Sequence, residues 1–223
     1  DPPAGPTYRV LRTAAARRSL LDGSEGAWGA ASTVAWGPSP YRTTFRALWD
    51  AAGLYVRFDC EDDGPWWTLT ERDARLWEQE VVEIFLDPSA EGRDYVEIEI
   101  SPANVVCDLI VTKPWPSLAS DARWNWDGLE SRVCPARGEG SAGWSAMASL
   151  PWRGVERLAK AAARTLPPSG GDRWRFNVFR IKRPHGPGDP ERDAVYAAWS
   201  VPEGPSFHVP AAFRDLVFDG AEI

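Results

Sequence analysis

The chain has 223 residues, 43% hydrophobic and 26% charged, a balance that excludes intrinsic disorder. A net charge of −7 argues against a nucleic-acid partner, which would demand a surplus of Lys and Arg, and no apolar run is long enough for a spanning helix. With 19 Gly and 20 Pro, the composition predicts many turns and few long helices.

The predicted elements start at Thr43–Trp49 (TTFRALW), where Phe45, Ala47 and Trp49 alternate with Thr44, Arg46 and Leu48. In Gly53–Cys60 (GLYVRFDC), Leu54, Val56, Phe58 and Cys60 alternate with Tyr55, Arg57 and Asp59, and the short 50–53 link joins the two as a hairpin. An irregular acidic stretch, 61–77, follows. Period-2 patterning then resumes in 80–87, with Val82, Ile84 and Leu86 opposite Val81, Glu83 and Phe85. In 95–100, Val96, Ile98 and Ile100 oppose Tyr95, Glu97 and Glu99, so both segments read as half-buried strands with a wet, acidic face. Residues 104–112, 144–150, 173–182 and 216–218 read as further strands. One helix is predicted over 152–165, where Val155, Leu158, Ala159 and Ala162 recur at helical spacing between Pro151 and Pro167.

About ten strands and one short helix define an all-β fold, a two-sheet antiparallel β-sandwich of immunoglobulin-like or jelly-roll type. No repeat or linker divides the chain, so residues 1–223 are expected to form a single domain with its core over about 7–218. Cys60, Cys107 and Cys134 are odd in number and far apart; each reads as a small buried hydrophobe, with one disulfide as the alternative. The first residue is Asp1, with neither Met nor a signal-peptide pattern, so an upstream segment is expected to have been removed.

Charge is concentrated between Glu61 and Asp108, where 14 acids meet three bases. Asp59, Glu61, Asp63 and Gly64 follow the first half of an EF-hand loop, but Thr70 stands where the bidentate acid belongs. A structural Ca²⁺ held by Asp59, Glu61 and Asp63, and a solvated loop whose acids cap turns, are both readings of this stretch. Trp66, Trp67 and Trp77 lie in the same acidic region beside Glu83, Glu97 and Tyr95. Flat rings that stack on the apolar face of a sugar, with carboxylates to meet its hydroxyl rim, suit carbohydrate binding. With 13 Trp in the chain most must be core, and Trp49, Trp144 and Trp174 occupy strand positions where burial is expected. Arg46 and Arg57 are expected on a wet face, available for cross-strand pairs with the outward glutamates. Arg180 shares a face with Trp174, Phe176 and Val178, which predicts a buried arginine with an acid partner.

Several segments resemble the family 9 carbohydrate-binding modules. These are Asp22–Gly23 with 27–31 (AWGAA), 45–50 (FRALWD) and, most specifically, 76–87 (LWEQEVVEIFLD); later come Gly143–Trp144–Ser145, Pro151–Trp152, Trp199–Ser200 and 207–210 (FHVP). The resemblance implies a DOMON-like β-sandwich holding a sugar between two rings, which fall here on Trp77 and Phe207. It also implies that Glu83 hydrogen-bonds sugar hydroxyls, that Glu97 stands where those modules carry a basic residue, and that a structural Ca²⁺ occurs in some relatives. Such modules usually accompany a glycoside hydrolase, so an enzyme partner and a secreted or periplasmic location are expected, without catalysis by the chain itself.

Three other functions compete. A haem-binding sandwich would draw axial ligands from Met147, His185 and His208. A glycoside hydrolase would pair Glu83 with Glu97 or Glu99. A sandwich that has lost its sugar site would serve as a structural or protein-binding domain.

Overall fold

The computed structural model describes residues 5–135 and 143–223. Its strands in chain order are β1 (Tyr8–Arg12), β2 (Thr33–Trp36), β3 (Thr43–Trp49), β4 (Gly53–Cys60), β5 (Val81–Asp87), β6 (Tyr95–Ile100) and β7 (Val106–Lys113). Then follow β8 (Ala119–Asp121), β9 (Glu130–Pro135), β10 (Trp144–Pro151), β11 (Arg173–Lys182), β12 (Val195–Ala198) and β13 (Arg214–Glu222). The hairpin predicted at 50–53 joins β3 to β4, and Gly53 is needed there because a Cβ would sit 2.6 Å from the Leu150 carbonyl oxygen of β10. The predicted helix is shorter than expected: a 3-10 turn over Trp152–Val155 runs into an α-helix over Glu156–Ala161. A second five-residue helix, Arg17–Leu21, packs against β10.

Two layers face each other. One is ordered β8–β7–β6–β5–β11–β13 and the other β3–β4–β10–β9. The inward residues of the alternating strands fill the space between them: Val82, Ile84 and Leu86 of β5 and Val96 and Ile98 of β6 meet Phe45, Val56, Phe58 and Ala148 from the opposite layer. Aromatic rings set the packing, with Phe45 5.2 Å from Phe58 and Trp174 5.1 Å from Phe218. Trp49, Trp144 and Trp174 are buried as expected.

Most pairings are antiparallel, but the layers are stitched together by a strand that alternation did not reveal. β1 pairs in parallel with β13 through Tyr8 and Val10 and with β3 through Leu11 and Arg12. Tyr8 secures the join: its hydroxyl accepts the Ala47 N–H at 2.7 Å and donates to the Ser32 carbonyl at 2.5 Å. The three cysteines are free thiols, and burial pushes the Cys60 thiol up to about 12.

Arg46 and Arg57 do not reach the glutamates of β5 and β6. They lie on the outer face of the other layer, where both pair with Glu25 and Asp59 at 2.6–2.9 Å. Alternation fixed the face of each residue but not the layer to which its strand belongs.

Candidate functional site

The outer face of β5, β6 and β11 carries the acids. Strand register sets Glu83 opposite Glu99 on one side and Phe179 on the other, with Phe85 opposite Glu97. The predicted wet face is in fact covered: Glu83 is 2% exposed, Glu97 6% and Glu99 fully buried. A second apolar cluster explains the difference. Phe85, Tyr95, Phe179 and Ile181 from the strands pack with Leu76 and Phe213 from long connections that fold over the sheet.

Those connections are positioned by charge. Arg180 is buried as expected, its guanidinium paired with Asp62, donating to the Glu61 carbonyl at 2.8 Å and lying over the Trp144 ring. Lys182 contacts Asp62 at 2.7 Å and Glu80 at 2.8 Å. Arg183 then donates to the backbone carbonyls of Trp77 at 2.9 Å and Gln79 at 3.1 Å. The Gln79 amide oxygen in turn accepts the Thr68 N–H at 2.8 Å. An acid-rich segment without regular structure is thus fixed to the end of β11, and Trp77 is held by its own main chain.

Between the connections lies a cleft of about 560 Å³. Trp77 and Phe207 both line it, as do Glu83 and Glu97, so four residues singled out in the sequence are brought together. Trp77 is half-buried and packs on the second cluster, with the Arg75 guanidinium 5.5 Å from its ring centre. Phe207 stacks on Phe179 at 4.3 Å and 21°. The ring wall is extended by Tyr196, and Leu118 and Val201 form an exposed apolar rim. None of these three was identified in the sequence, because their strand and loop are short and lack alternation. His208 is a further addition: it stacks on Phe85 at 4.9 Å, and its Nδ1 shares a 3.0 Å hydrogen bond with the Tyr95 hydroxyl.

Trp66 and Trp67 lie elsewhere. Trp66 donates from Nε1 to the Arg183 carbonyl at 2.7 Å, a structural role, and Trp67 is 46% exposed outside the cleft.

Burial dominates the electrostatics. It raises Glu97 to about 7, and together with the Glu97 charge it holds Glu83 and Glu99 well above the usual carboxylate range. Burial also lowers His208 to about 4, so the imidazole is neutral at pH 7 and its 3.8 Å approach to Glu97 is not an ion pair.

Asp59, Glu61 and Asp63 do not converge on a metal site. Asp59 is taken by Arg46, Arg57 and the Ser145 hydroxyl, Asp63 accepts from Tyr41, and the Glu61 side chain is exposed. Among the described residues no group of three or more His, Cys, Asp or Glu is placed to hold a metal ion. The haem ligands are likewise separated. Met147 is buried with Leu20 and Trp28 outside the β4–β10 layer, whereas His208 lies on the outer face of the opposite one and His185 bonds Asp193 at 2.8 Å.

The chain is thus a β-sandwich with a ring-walled cleft on one outer face. Residues 27–107 match the family model described as carbohydrate family 9 binding domain-like, and the resemblance to the family 9 carbohydrate-binding modules holds. A protein of Arthroderma benhamiae named "Extracellular protein" is 25% identical over 188 residues, covering 79% of this chain and 78% of its own. The structure of a candidate carbohydrate-binding protein from Bacteroides uniformis superposes with a TM-score of 0.70 at 17% identity, over 97% of this chain and all of that one. A family 9 module from Caldicellulosiruptor kristjanssonii, solved with cellotriose, superposes with a TM-score of 0.63 at 14% identity, over 96% of this chain and 94% of that one. These similarities show the fold as a β-sandwich of that kind.

Proposed function

We propose that the chain binds carbohydrate, holding a sugar residue between Trp77 and Phe207 with Glu83 and Glu97 meeting its hydroxyls. The observation that carries this reading is that two rings and two buried carboxylates, drawn from three separate parts of the chain, line one cleft. The ring walls take the apolar face of the sugar, and each carboxylate, protonated or not, can accept from a hydroxyl. The solved modules with cellotriose and glucose lend support by their fold.

Isothermal titration with cellobiose and xylobiose tests the proposal. Trp77→Ala and Phe207→Ala should each weaken binding at least tenfold, about 1.4 kcal/mol, while Trp67→Ala stays within twofold. Absence of heat with any mono- or disaccharide overturns it.

The domain is read as non-catalytic, acting beside a polysaccharide-degrading partner outside the cytoplasm, a location favoured by the relative named "Extracellular protein". Release of reducing sugar from xylan or β-glucan, lost in Glu83→Gln, would overturn the non-catalytic reading.

A further inference from the structure

The ionisable groups inside the cleft are acidic or neutral. Glu83 and Glu97 line it, and no Arg or Lys does so among the described residues. Glu83 is nearly fully buried, and its Oε1 has no hydrogen-bond partner. The other titratable groups facing this floor bring no positive charge to it: Glu99 and Tyr95 from β6, Cys107 from β7, and His208 from the covering loop. The cations at the rim are already matched, with Arg75 on Glu78 at 2.9 Å and Arg183 paired with Glu191. Glu83 keeps its proton in the empty cleft because burial holds it above the usual carboxylate range, and a ligand that brings a positive charge would draw it into the charged form and occupy its unpartnered oxygen, so the site is complementary to such a ligand.

Two kinds of cation differ in what they need. A hard divalent ion takes six to eight oxygens, which two carboxylates among apolar rings do not supply. An organic ammonium is satisfied by carboxylates below and aromatic faces beside it. We infer that the cleft prefers an amino sugar with a free ammonium group, such as a glucosamine residue of a deacetylated glycan, over the corresponding neutral sugar. This rests on the sugar-binding reading and names the ligand class for the same site.

The inference implies a linked proton release. Glu97, raised to about 7 by burial, is partly protonated in the empty cleft at neutral pH, and a bound ammonium draws it into the charged form.

The test is isothermal titration of the intact chain at pH 7 with three probes: the β-1,4-linked glucosamine disaccharide, its N,N′-diacetyl form, and cellobiose. The expected result is at least tenfold tighter binding of the free amine than of cellobiose. Acetylation should abolish the preference, and the apparent enthalpy should differ between phosphate and Tris as released protons are taken up. Glu97→Gln should narrow the ratio of the two affinities; if that variant does not fold, the wild-type ratio alone decides. Cellobiose binding as tightly as the amine overturns the inference and leaves the sugar-binding reading intact, whereas no binding of any probe overturns both.

Discussion

At Glu97 one position carries two consequences. Its carboxyl lines the cleft, and the burial that comes with that position works against folding at neutral pH. A buried acid raised from its ordinary value to about 7 keeps its proton in the folded chain while the unfolded chain releases it, so stability falls as pH rises from about 4.5 to 7. Glu80, likewise raised to about 7 by burial, acts in the same direction. His208, lowered to about 4, acts oppositely, adding stability as pH climbs from about 4 to 6.5. Glu83, Glu99 and Asp108 are raised as well, so five acids outweigh the one lowered imidazole. The melting temperature is expected to decline between pH 5 and 8. Glu97→Gln should raise it more at pH 8 than at pH 5, the matching gain in unfolding free energy at the higher pH being on the order of 3 kcal/mol. A parallel pH profile for wild type and variant would refute this.

Strand β11 is the element on which the cleft depends, because its far end holds the cover. Asp62 lies between Arg180 and Lys182, with all three side chains buried. Removing one partner of a buried ion cluster leaves uncompensated charge, so Asp62→Ala is expected to cost about 3–5 kcal/mol in urea unfolding, while Asp63→Ala, at an exposed neighbour, costs under about 1 kcal/mol. Limited proteolysis of Asp62→Ala should cut first within 61–79. The sequence revealed β11 to the residue, as it did β3, β4 and β6, because each alternates cleanly. Arg180 has the acid partner that the sequence led one to expect, and Trp77, Phe207, Glu83 and Glu97 line one cleft. The sequence did not show that the acidic face is roofed. A period-2 pattern tells two faces apart, but whether a distant loop covers one of them depends on contacts such as Arg183 to the Trp77 carbonyl, which leave no local trace. β1 escaped for the same reason, since it pairs with β13 at the other end of the chain, whereas β12, which pairs with the preceding β11, is too short to show an alternating pattern.

Across the whole molecule, β1 makes the two layers a single hydrogen-bonded path. Its hold relies on Tyr8, the residue whose hydroxyl ties β3 and the Ser32 carbonyl together. Tyr8→Phe leaves those two backbone groups unpaired inside the join and is expected to cost about 1–3 kcal/mol, read as a lower urea midpoint with an unchanged slope. A changed slope would mean that the layers separate independently. The alternation of β5 and β6 also divides labour across each strand's thickness: Val82, Ile84 and Ile98 serve the interior, and their immediate neighbours Glu83 and Glu97 serve the cleft. On the proposed sugar-binding reading, a change at Glu83 or Glu97 alters what the cleft offers a ligand while Val82, Ile84 and Ile98 keep the shared interior, so specificity can shift and leave the scaffold in place.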